Sequence, residues 1–315
     1  MKKNKTLRIA SILLIAVLLT TSMISGTFAK YVTSGEVEDN ARVAKFGVVL
    51  AAEGSLFDTT YLTAVNTPGN AEDLADGHAP TKDTDDKNGL SVESSNGDKL
   101  VAPGTQSAED GLKLSITGKP EVDVKIKFDF KGLKDVFLKT GTYPDMTKAQ
   151  YNSDFSVAAS YWPIVYTVES DTDFIKDNEA TLTANNGGLT ISEDKKSMSG
   201  NLTSIMKAFN GLNGTDGYFV DANTDLGATI GSLTITWKWA FEGPQKLNGI
   251  NFDAATVDKA DTLLGDLAAV NDATFGTNQP DWASDVIDTL KALTKGTDYQ
   301  TDVNFDLTVT VTQID

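Results

Sequence analysis

Between residues 121 and 131 the chain alternates without a break: Val122, Val124, Ile126, Phe128 and Phe130 are interleaved with Glu121, Asp123, Lys125, Lys127, Asp129 and Lys131. A two-residue period sends successive side chains to opposite sides of an extended backbone, so this segment reads as a strand with one face in a core and one in water. The device recurs. Leu112, Leu114 and Ile116 alternate with Lys113, Ser115 and Thr117, and Leu233, Ile235, Trp237, Trp239 and Phe241 with Thr234, Thr236, Lys238, Ala240 and Glu242. Near the end, Val303, Phe305, Leu307, Val309 and Val311 alternate with Asn304, Asp306, Thr308, Thr310 and Thr312. One-sided strands of this kind belong to antiparallel sheets. Gly118-Lys119-Pro120 is expected to join the first two as a hairpin. Trp162-Pro163-Ile164-Val165-Tyr166-Thr167-Val168 is expected to be a strand with Pro163 at its edge or beginning. Residues 42–52, rich in valine, read as a strand buried on both faces.

Helical stripes are fewer. Leu202, Ile205, Met206 and Phe209 share a helix face, with Gly211 expected to close it. Trp282, Val286, Leu290 and Leu293 form a second stripe after the cap Asp281, and residues 256–270 a weaker third. With no βα alternation, the expected fold is mainly β: an antiparallel β-sandwich with a few helices in the connections. Residues 41–315 are expected to form one domain. Inside it lies an acidic insertion at 58–98, where nine acidic residues meet two basic ones among Gly, Asn, Thr and Pro.

The amino terminus reads differently. Lys2, Lys3, Lys5 and Arg8 precede an apolar run, and Thr27-Phe28-Ala29 ends on a small residue, which is the grammar of a secretory signal peptide over residues 1–29 cut between Ala29 and Lys30. Residues 9–29 are uncharged and long enough to span a bilayer as a retained anchor. Thr20, Thr21, Ser22, Ser25, Gly26 and Thr27 make a poor membrane helix, however, so cleavage is expected, with membrane contact only before it. The chain carries 27 Lys and Arg against 44 Asp and Glu, a formal −17. Losing residues 1–29 removes four basic groups and no acidic one, leaving 23 against 44, or −21. Such a surface repels nucleic acid. A cysteine-free exported chain suits a Gram-positive envelope, and no LPxTG-like motif closes the C-terminus.

Several chemistries lack their residues. Without cysteine there are no disulfides, thiolate metal sites or cysteine nucleophile. The lone histidine, His78, supplies neither HExxH nor, with no GxSxG present, a serine triad, and it reads as an exposed loop residue. No GxxxxGK[ST] phosphate cradle occurs. Asp221, Asn223 and Asp225 have the opening spacing of a calcium loop, but Leu226 stands where glycine is needed and Ser232 where glutamate is needed, so a solvated turn competes with calcium. No other cofactor is expected. Trp162, Tyr166, Trp237 and Trp239 could form a sugar-stacking platform, although Trp237 and Trp239 share parity with core positions. Asn201 and Asn213 begin glycosylation sequons.

Three stretches carry a resemblance. The Ala10-Ser11-Ile12-Leu13-Leu14-Ile15 signal ending in Gly26-Thr27-Phe28-Ala29-Lys30-Tyr31, then Ala41-Arg42-Val43-Ala44-Lys45-Phe46, and Val101-Ala102-Pro103-Gly104-Thr105 before a strand are similar to the TasA/camelysin group of secreted Firmicutes proteins. The resemblance implies processing by an ER-type signal peptidase, a jelly-roll form of the sandwich, and self-association into extracellular biofilm-matrix fibres. In such fibres the freed N-terminal segment of one subunit adds a strand to the next. Here the donor would be residues 30–40, including Tyr31, Val32 and Val37, of which Tyr31 and Val37 share a parity and could enter the acceptor groove. Glu36, Glu38 and Asp39 make it more acidic than a strong strand. The metallopeptidase activity associated with camelysin does not transfer, because the histidines are missing. The expected function is a secreted, non-enzymatic fibre subunit contacting other matrix or cell-surface components. The alternative is a monomeric surface-binding module or adhesin for glycans or proteins, and a carboxylate-based hydrolase is a third class.

Overall fold

The computed structural model describes residues 46–54, 56–57, 59–61, 101–147, 153–240, 243–270 and 283–314. The protein is mainly β, and every pairing between its strands is antiparallel. The largest sheet has eight strands. Its path runs β1 (Val48–Gly54), β4 (Leu112–Gly118), β13 (Gly231–Trp239), β9 (Ile164–Ser170), β11 (Ser197–Gly200) and β10 (Thr190–Ile191), with β2 (Thr59–Tyr61) and β3 (Thr105–Ser107) attached through β13. A second sheet of three strands places β5 (Val124–Phe130) between β12 (Tyr218–Val220) and β17 (Leu307–Gln313). Three small pairs complete the strands: β14 (Gln245–Leu247) with β15 (Ile250–Phe252), β16 (Tyr299–Gln300) with β6 (Phe137–Leu138), and β7 (Gly141–Pro144) with β8 (Asp154–Val157).

The alternation does what its period requires. Along β13, Leu233, Ile235, Trp237 and Trp239 are buried while the residues between them are partly or fully exposed, and β5 buries Val124, Ile126 and Phe128. Pro163 lies immediately before β9, where its missing N–H costs no ladder bond.

The expected hairpin between β4 and β5 does not form. β4 pairs with β1 and β13, whereas β5 pairs with β12 and β17, so Gly118-Lys119-Pro120 carries the chain from one sheet to the other. Gly118 has a φ of 109°, and a Cβ there would collide with the carbonyl of Gly47, so the crossover demands glycine.

Residues 48–54 are not buried on both faces. β1 is the outermost strand of its sheet, and Val49 and Leu50 are 59% and 43% exposed. A continuous apolar run is the same in sequence whether its second neighbour is present or missing.

The helices are α1 (Phe174–Asp177), α2 (Glu179–Thr183), α3 (Leu202–Asn213), α4 (Leu226–Thr229), α5 (Ala254–Val270) and α6 (Ala283–Ala292). α3 begins at Asn201, whose side chain accepts from the Ser204 N–H at 2.8 Å. It packs on both sheets, touching β5 on one side and β9 and β11 on the other. Phe209 meets the rings of Phe128 at 4.9 Å and Phe130 at 5.5 Å. The helix does not stop at Gly211. A Cβ there would lie 3.0 Å from the carbonyl oxygen of Thr181 in α2, so this glycine serves a close helix approach and Gly214 takes the cap. α6 buries Val286 and Leu290 as expected, while Asp281 and Trp282 lie outside the described residues.

Candidate functional site

Two long strands lie at sheet edges, β1 in the large sheet and β17 in the small one. Among the described residues each has one neighbour, β4 and β5 respectively. β17 leaves Leu307, Val309 and Val311 half-buried on its core side. Both strands reach the same crossover. The Lys119 N–H donates to the Gly47 carbonyl at 3.1 Å, and the Ile314 N–H to the Asp123 carbonyl at 2.9 Å. The cleavage pair Ala29 and Lys30, the donor residues Tyr31, Val32 and Val37, and His78 lie outside the described residues. Of the 58–98 insertion, the structure describes 59–61, which pair with β3.

The aromatic candidates separate cleanly. Tyr166, Trp237 and Trp239 are buried in the core. Trp162 is only partly buried and stacks on Phe137 at 4.8 Å between ring centres, tilted 34°. It borders two cavities. One, of about 430 Å³, is walled by Phe130, Phe137, Leu202 and Met206, with Asp135 among its lining residues. The other, of about 260 Å³, is bordered by Thr190, Ser199, Asn201, Lys246 and Asn248. Asn248 and Gly249 form the two-residue turn between β14 and β15, with φ of 51° and 78°. This Asn-Gly dipeptide between Leu247 and Ile250 is a strong hairpin signal that the periodicity reading passed over.

Three carboxyls are buried in the fold, and one of them, Asp135, lines the larger cavity. Asp135 accepts from the Leu202 N–H at 3.1 Å and faces the Tyr166 hydroxyl at 3.5 Å. Burial pushes its pKa up to about 7, against the pull of those bonds. Asp261, on α5, accepts through one oxygen from the Tyr161 hydroxyl at 2.8 Å and the Trp239 indole at 3.0 Å. Burial drives it up to about 8, those two donors oppose the rise, and the charge of Asp258 adds to it. Asp145 behaves in the opposite way. Burial raises it, but bonds from Thr147 and the Lys259 ammonium at 3.0 Å outweigh burial and hold it below the usual carboxylate range. Among the described residues, Asp135 is the one carboxyl bordering either Trp162 cavity.

The calcium candidates occupy a turn. Asn223 has a φ of 63°, and the Asp225 carboxylate caps α4 by accepting from the Gly227 N–H at 3.0 Å and the Ala228 N–H at 3.3 Å. No group of three or more metal-ligating side chains is assembled among the described residues. Both sequon asparagines have structural work. Asn201 caps α3, and Asn213 accepts from the Phe128 N–H at 2.9 Å while donating to its carbonyl at 2.6 Å, as a paired strand would. Among the described residues no helix is long and apolar enough to cross a membrane.

No protein family, curated protein or solved structure matches the chain.

Proposed function

We propose that this protein is a secreted structural subunit that self-associates into extracellular fibres, each subunit donating its N-terminal segment as a strand to the next. The jelly-roll reading of the two sheets belongs to the same proposal. The observation that carries it is the edge of β1. Seven residues pair on one side with β4, the other side has no described neighbour, and Val49 and Leu50 are exposed there. An unpaired strand with exposed apolar residues is a ready template for a strand from another chain. Residues 30–40 precede this strand and follow the expected cleavage point, so cleavage frees them to pair elsewhere. An excess of acid repels approaching subunits until the backbone contact forms.

The test is truncation. The chain beginning at residue 41 should remain a folded monomer by size exclusion and circular dichroism, and electron microscopy should find no fibres where the chain beginning at residue 30 forms them. Fibres of unchanged form from the truncated chain would defeat the mechanism.

A further inference from the structure

We infer that the two cavities flanking Trp162 form a binding cleft for a polysaccharide chain, with one pyranose ring stacked on the indole and its neighbour in the adjoining cavity.

Sugar recognition combines an apolar ring face, which the pale C–H side of a pyranose covers, with amides and hydroxyls that both donate and accept around its edge. Trp162 offers the first. Its indole N–H has no hydrogen-bond partner among the described residues, and Phe137 supports the ring. The second is supplied around the smaller cavity by Asn248, Ser199 and Thr190, and around the larger by Thr203 and Gln300. The larger cavity, at about 430 Å³, is within the range of small-ligand pockets.

The platform is held in place before any ligand arrives. Tyr161, next to the tryptophan, exchanges both backbone hydrogen bonds with Leu138, at 2.7 and 2.9 Å, and its hydroxyl is anchored on Asp261. On the other side Pro163 leads directly into β9, a central strand. Phe137 is fixed in turn by its pairing with Gln300. A ring so clamped loses little freedom on binding, which preserves affinity.

Two cavities separated by one indole fit a chain better than a single sugar. A peptide fits less well. Extended peptides gain affinity by pairing along a sheet edge, and the edge strand bordering the cleft, β10, offers two residues. The cleft lies on residues that the fibre reading does not use, so either proposal can fail alone.

The experiment is isothermal titration of the chain beginning at residue 30 with cellohexaose, chitohexaose and hexagalacturonate, beside a peptide digest of casein. At least one hexasaccharide should bind. Trp162→Ala should weaken it by about tenfold, the scale of one lost aromatic contact, and Trp162→Phe by less. Asn248→Gly keeps the positive φ of the turn but removes an amide whose oxygen also accepts from the Asn201 N–H at 3.4 Å, so it should weaken binding with at most a small drop in thermal midpoint, the chain remaining folded by circular dichroism. Fibre formation by each variant is followed in parallel and should persist. Absence of saccharide binding up to about 5 mM, where interaction energies are below a few kcal/mol, overturns the inference. So does binding of the casein peptides alone, or wild-type affinity in folded Trp162→Ala and Asn248→Gly.

Discussion

Replacing Asp261 with asparagine should change how stability depends on pH more than it changes stability itself. In the folded chain one carboxyl oxygen takes both donors, the Tyr161 hydroxyl and the Trp239 indole N–H, while the other has no hydrogen-bond partner among the described residues. The unfolded carboxyl titrates near its ordinary 3.8, whereas the folded one is pushed up to about 8. Because the folded pKa is raised, the folded state holds the extra proton between those values. The group's stabilisation is therefore complete below the unfolded pKa and is lost as pH rises through the folded one. Each intervening pH unit removes about 1.4 kcal/mol, so from about pH 4 to pH 7 the wild type loses about 4 kcal/mol through this group. Water entry and relaxation lower that ceiling.

Asparagine keeps an oxygen for both donors and never ionises, but it places an N–H₂ group where the wild type has an unpaired oxygen, costing about 1–3 kcal/mol. Near pH 4 the variant should accordingly be the less stable protein, and near pH 8 the more stable, with the sign crossing between. Urea unfolding followed by tryptophan fluorescence across that range measures the difference directly. If the wild-type and Asp261→Asn curves run parallel within about 0.5 kcal/mol, the group is not protonated in the fold and the reasoning fails.

Other outcomes follow from the same geometry. Asn213→Ala should cost about 2–5 kcal/mol in thermal or urea unfolding, because it strands both the N–H and the carbonyl of buried Phe128. Asn213→Asp should not rescue it, since a carboxylate cannot donate to that carbonyl. Raising salt from about 10 mM to 150 mM should speed fibre growth, seen as a shorter lag in light scattering, because the Debye length falls from about 30 to 8 Å.

The strands with strict alternation were legible because the period is a local property: each face of β5 and β13 follows from residues two apart. Partnership is not local. β4 and β5 are neighbours in sequence, and both Gly and Pro sit between them, yet the pairing is decided by β13 and β17, more than a hundred residues away. The same limit applies to Gly211, whose reason is a carbonyl in α2 and not the end of its own helix. The cleft was half legible. Trp162 was one of four aromatic candidates, and parity correctly sent Trp237 and Trp239 inward. Asp135 carried no signal, since Gly132-Leu133-Lys134-Asp135-Val136 has the composition of an ordinary loop; only the fold brings it beneath the first N–H of α3. The short helices α1 and α2 contain too few residues to show a stripe at all.

The salt prediction has a definite sign because the charges are unevenly placed. Strand positions facing away from the core carry lysine repeatedly: Lys113 on β4, Lys125 and Lys127 on β5, Lys238 on β13. Part of the acidic excess lies elsewhere, nine residues against two in the 58–98 insertion and Glu36, Glu38 and Asp39 against Lys30 in the proposed donor segment, and the rest is spread over the body. Two electrostatic effects then oppose each other during assembly. In the proposed assembly the cleaved bodies repel through an expected net charge of −21, and that repulsion reaches across about one Debye length, which added salt shortens. In the proposed assembly the acidic donor would be attracted to lysines on the acceptor sheet, but only after approaching to a few ångströms, where salt screens least. Moderate salt therefore removes the barrier before it removes the attraction, and assembly accelerates. A lag that lengthens with salt would mean that ion pairs, and not backbone pairing at an open edge, limit the association.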